Sequence, residues 1–153
     1  MRIDLHNHIT TSEGKTLPQL KKLEKQSGRE IYIQAIKYHK LDALAVTDYH
    51  NIDFALGLSR EYPQHILVGA EYRVMATEGI TVQVVVLGLT PSLHERLMNA
   101  RLRGVSHFTS VLKENRLPHF LAHIGLGLPL ENRAMEAFDA LLQIGRASCR
   151  ERV

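Results

Sequence analysis

Arg2-Ile3-Asp4-Leu5-His6-Asn7-His8, residues 2–8, sets two imidazoles two positions apart directly behind a short apolar run. In an extended strand successive side chains alternate faces, so residues i and i+2 point the same way. A strand ending in His-x-His therefore presents two nitrogen donors to one point, and neutral imidazole is the commonest protein ligand for zinc and similar ions. The arrangement recurs along the chain. Asp48 and His50 follow Ala43-Leu44-Ala45-Val46, Glu71 follows Ile66-Leu67-Val68, and His123 follows Phe120-Leu121. A core histidine explains any one of these, but ligand-type side chains behind all four apolar runs call for a shared cause. In parallel α/β barrels and open sheets the carboxyl ends of the strands gather on one face, where residues distant in sequence meet.

Working outward from these runs, short β-branched stretches alternate with longer amphipathic ones, the pattern of βα units feeding a largely parallel sheet. The pattern predicts strands over 2–5, 42–47, 65–70, 80–89, 118–123 and 138–143. A first helix is expected from Pro18, broken at Ser27-Gly28, followed by helices over 29–39, 52–60, 92–102, 105–115 and 131–137. Val105, Phe108, Val111 and Leu112 recur at helical spacing and predict a core-facing stripe. There is no internal repeat, and Gly125-Leu126-Gly127 is too short and wrongly placed for a phosphate-cradling fingerprint.

The 153 residues, 44% hydrophobic and 23% charged, fit a single domain, and no apolar stretch approaches the roughly 20 residues that span a bilayer. Met1-Arg2-Ile3-Asp4 does not open a secretion signal, so a cytoplasmic protein without membrane partners is expected. The last ten residues, IGRASCRERV, resemble the in-frame translation of a sequencing-library adapter, so 144–153 is read as a non-native tail and the domain as cut off after residue 143. That tail holds the single cysteine, Cys149, which leaves no thiolate ligand, cysteine nucleophile or disulfide elsewhere. It also carries a net +2 of the formal +3, and the remainder is too small for a nucleic-acid argument from bulk charge.

The polar motifs resemble those of the PHP family, the polymerase and histidinol phosphatase domain. Asp4-Leu5-His6-Asn7-His8 is similar to the family's opening D-L-H-x-H, Ser12-Glu13-Gly14 to S-D-G, and Thr47-Asp48-Tyr49-His50-Asn51 to T-D-H-N. Val68-Gly69-Ala70-Glu71 looks like G-x-E, and Leu121-Ala122-His123 like A-H-P; order and spacing together carry the resemblance, over most of residues 1–143. It implies an α/β fold, a distorted βα barrel of about seven strands when complete, truncated here after about six. It also implies a metal-dependent phosphoesterase that hydrolyses a phosphomonoester or phosphodiester through metal-activated hydroxide. Two or three divalent ions (zinc, manganese or iron) are expected. His6, His8 and Glu71 would hold one, Glu71 would bridge to a second also bound by His123, and Glu13 with His50 would help hold a further ion. Imidazole and carboxylate donors suit those metals, and a bridging carboxylate keeps two cations close despite their repulsion. Asp48 is expected behind the ligands, accepting the second N–H of a ligating histidine and fixing its tautomer.

The chain departs from the family at three places. In an ungapped match the T-D-H histidine falls on Tyr49, with His50 one position late. The strand after Glu71 has Gln83 or Val85 where a further histidine is usual. The family's terminal D-x-H pair is missing. Two alternatives therefore stand beside the phosphoesterase: a PHP-like domain whose metal site has decayed into a binding or structural module, and a metal-dependent amidohydrolase, whose barrels also begin with His-x-His. No lysine is clearly placed to bridge metals for the latter. Expected substrates are phosphorylated small molecules or nucleotides, with nucleic acid also suited to such a face. His39, His65, His94, His107 and His119 are read as solvated or capped; Arg73 shares strand parity with Glu71 and could reach a substrate phosphate, but is read as a surface arginine.

Overall fold

The computed structural model describes residues 1–8, 25–77 and 80–122, and the chain groups into two compact units. The first comprises Met1–Ala70 with Leu87–Leu89, the second Glu71–Val86 with Thr90–Val153. The predicted helix from Pro18, the elements over 131–137 and 138–143, and the tail lie outside the described residues.

In the first unit, strand β1 (Ile3–Asp4) pairs in parallel with β2 (Ala43–Val46), and β2 pairs in parallel with the start of β3 (Ile66–Thr77). The register sets Asp4 beside Leu44, and Val46 beside Val68. Helices α1 (Lys25–His39) and α2 (Asp53–Glu61) follow β1 and β2 in the chain, as the alternating pattern predicts. Tyr32 and Ile36 of α1 stand one turn apart, as do Ala55 and Leu58 of α2; all four join Leu44, Val46 and Ile66 in one buried cluster. An ion pair between Arg29 and Glu61 links the two helices at the surface. The expected break at Ser27-Gly28 does not occur, because α1 runs through it. Serine and glycine weaken a helix interior by only about 0.5 to 1 kcal/mol each, and burial of Tyr32 and Ile36 downstream outweighs that.

The second unit starts midway along β3, which continues to Thr77 rather than ending at Ala70 as the sequence pattern predicts. Glu71 and Arg73 interrupt the apolar run, but the strand goes on: Ala70, Glu71 and Tyr72 are buried in succession, and beyond them Arg73 is exposed and Val74 fully buried. Only two residues separate β3 from β4 (Ile80–Leu87), a spacing that antiparallel neighbours alone can bridge. The strand order is β1-β2-β3-β4-β5, with β5 (His119–Ala122) antiparallel to β4. The fold is thus mixed α/β, and the expected largely parallel sheet holds for β1 to β3 only. Val84, Val85 and Val86 are all fully buried, so β4 is covered on both faces.

Helix α3 (Pro91–Arg101) is started by Thr90, whose hydroxyl accepts from the Leu93 N–H, with proline at its first position. Helix α4 (Val105–Glu114) buries Val105, Phe108 and Leu112, the predicted stripe, with Val111 half-buried. Phe108 meets the Tyr72 ring at 5.4 Å between centroids. Among the described residues no helix is long and apolar enough to cross a membrane.

Candidate metal centre

The segment beyond β1 is held by β2. Extending the Asp4–Leu44 register three places brings Asn7 beside Thr47, and hydrogen bonding continues there. The Thr47 N–H donates to Asn7 O at 2.8 Å, the Asn7 N–H donates to Thr47 Oγ1 at 3.1 Å, and Asn7 Nδ2 donates to Ala45 O at 3.3 Å. Fixing Asn7 fixes its neighbours, and His6 and His8 turn toward each other with their Nε2 atoms 3.3 Å apart. Their rings meet edge to face, centroids 4.5 Å apart and planes 81° to one another.

Two imidazole nitrogens bound tetrahedrally to one zinc ion at roughly 2.0–2.1 Å are about 3.3–3.4 Å apart. The His6–His8 spacing therefore fits a shared ion without rearrangement. Both rings are half-buried, shielded from bulk water but reachable. Behind His6, Nδ1 lies 3.1 Å from Thr47 Oγ1. Behind His8, the Tyr49 ring stacks nearly parallel, at 5.3 Å and 16°.

Glu71 directly follows Ala70 on β3, on the strand face opposite Ala70, Tyr72 and Val74, and has no exposed surface. Burying a carboxylate is costly unless it is paired or bound to a cation. The ligand atoms that His6, His8 and Glu71 offer all lie within 4.8 Å of one another, and this is the group among the described residues that could hold a metal ion.

Asp48 and His50 are not in that group. Asp48 is buried at the end of β2, and His6 Nδ1 lies 3.1 Å from the hydroxyl of the preceding residue, Thr47. His50 is half-buried and takes a left-handed backbone, φ 51°, which offsets it from the extended chain before it. Glu13 and His123 lie outside the described residues. Val85 is fully buried in β4, and Gln83 is half-buried beside Ala122. Arg73 is exposed on the parity of Glu71, and its carbonyl accepts from Arg101 Nη1 at 3.5 Å.

Of the histidines read as solvated or capped, His39, His65 and His107 are exposed, and His65 Nδ1 lies 2.9 Å from Asp42 O. His119 Nδ1 contacts Leu117 O at 2.7 Å. His94 departs from that reading, because it is half-buried with Nδ1 2.6 Å from the Tyr72 hydroxyl. Thr47 and Tyr49 are the site residues that sequence reasoning missed as contacts of His6 and His8. The sequence carries no signal for the Thr47 contact, which follows from its register opposite Asn7.

No protein-family model matches the chain, and no curated protein does. Among solved structures it is similar to a protein from Bifidobacterium adolescentis provisionally described as a metal-dependent phosphoesterase. The likeness has a TM-score of 0.47 at 17% identity and covers 94% of this chain and 74% of that one.

Proposed function

We propose that the chain is a metal-dependent phosphoesterase that hydrolyses a phosphomonoester or phosphodiester. The observation that carries the proposal is the His6–His8 pair, whose Nε2 atoms stand 3.3 Å apart as two ligands of one ion would. The motif series from Asp4 to His123 supports the same reading. His6, His8 and Glu71 would hold the first ion, His123 with Glu71 would serve a second, and Glu13 with His50 would contribute to a third. Divalent zinc, manganese or iron in such a cluster lowers the pKa of water into the neutral range and offsets charge on a phosphoryl group.

The chain's own residues then have distinct tasks. The two imidazoles bind as neutral donors, so the Glu71 carboxylate is the group that offsets cationic charge at the centre. Its burial keeps competing water away and strengthens that interaction. Arg73, exposed on the same strand parity, offers a planar guanidinium that matches two phosphate oxygens at once. Asp48, buried at the end of β2, would accept the second N–H of a ligating histidine and fix its tautomer.

Metal analysis of the purified full chain tests the proposal most directly. At least one zinc, manganese or iron per chain is expected, with hydrolysis of an aryl phosphate that a chelator stops and the metal restores. A chain without stoichiometric metal would remove the amidohydrolase alternative as well, and leave the binding-module reading.

A further inference from the structure

We propose that the Thr47 hydroxyl fixes the tautomer of His6, holding the proton on Nδ1 so that Nε2 faces the metal centre with its lone pair. Thr47 is fully buried, and its oxygen has three polar neighbours, each at 3.1 Å: the Asn7 N–H, the Asn7 carbonyl and His6 Nδ1. A hydroxyl has one proton to give and two lone pairs with which to accept. Two of the neighbours have fixed roles. The amide N–H can only donate, so it takes one lone pair; the carbonyl can only accept, so it takes the proton. The second lone pair remains for His6, and Nδ1 must supply the hydrogen. The Asn7 carbonyl also takes the Thr47 N–H at 2.8 Å; the opposite assignment, with the hydroxyl donating to Nδ1, would still leave the hydroxyl and carbonyl oxygens 3.1 Å apart with no proton between them.

In neutral imidazole the nitrogen without the proton is the one that binds metal. The same threonine that anchors Asn7 to β2 thereby orients His6 as a ligand, and the alternative tautomer would point an N–H at the ion. Thr47 acts here as a positioning residue, and its value to a metal rests on the phosphoesterase reading; the proton assignment itself does not.

The test compares the full-length chain with Thr47→Val, which keeps the shape and removes the hydroxyl, and Thr47→Ser, which restores it. Two-bond nitrogen–proton correlation spectra of the metal-free proteins, at a pH where imidazoles are neutral, read the His6 tautomer directly. Titration with Co²⁺, followed by visible absorption, reads the affinity. The Nδ1–H form is expected in the wild type and Thr47→Ser, and a mixture in Thr47→Val with Co²⁺ bound about ten- to a hundred-fold more weakly. An Nε2–H form in the wild type, or an unchanged tautomer in a folded Thr47→Val, overturns the proposal. A wild type that shows the Thr47-dependent Nδ1–H form yet binds no Co²⁺ upholds the proton assignment and removes the phosphoesterase reading.

Discussion

At the scale of single residues the clearest contrast is between His8 and Glu71 on one side and His94 on the other. His8 and Glu71 belong to the ligand group, and replacing either takes away one of its donors. His8→Ala and Glu71→Gln are each expected to reduce aryl phosphate hydrolysis to background while the protein stays folded, as checked by circular dichroism. Activity within a few-fold of wild type in either variant would take that residue out of the site. His94 instead meets the phenol of Tyr72. The donor-bearing residues were legible because side-chain type and strand alternation both stand in the letters of the sequence. The roles of Thr47 and Tyr49 were not, because they depend on which residue of a neighbouring strand sits opposite, and register emerges only from tertiary pairing.

Elements fixed by an apolar face read well from sequence, while those fixed by a local exception did not. The α4 stripe and the valines of β4 announce themselves by period and by run length, and both are buried. The length of β3 was hidden because Glu71 and Arg73 look like the end of a strand, yet the strand runs through them to Thr77. The start of α4 depends on Gly104, whose φ of 97° is a conformation L side chains rarely adopt, and an added Cβ would meet Met75 O at 3.4 Å. The contact alone is tolerable; the backbone angle is not. Gly104→Ala is expected to lower stability by about 1–2 kcal/mol in chemical denaturation, with metal content unchanged.

For the whole molecule, two tyrosines set the alkaline limit of stability. Burial pushes the Tyr32 phenol well above its ordinary value, helped by the Asp48 and Asp4 carboxylates, and burial does the same to Tyr72 against the opposing charge of Arg101. The unfolded chain ionises both near pH 10.0 while the folded chain keeps them protonated. Their contribution is therefore complete below that pH and is lost as pH rises above it. Each is expected to subtract up to about 1.4 kcal/mol per pH unit above its unfolded value, a slope that Tyr32→Phe and Tyr72→Phe should each reduce in denaturation curves run across that range.

The stack of Tyr49 on His8 has an optical consequence. The chain has five tyrosines and no tryptophan, so its ultraviolet emission comes from phenol rings alone. One of them lies against a ligand imidazole, within the short range over which an open-shell ion quenches an excited ring. Manganese or cobalt entering the centre would dim that emission and zinc would not, so the protein carries a built-in, dye-free reporter of whether its ion is open-shell.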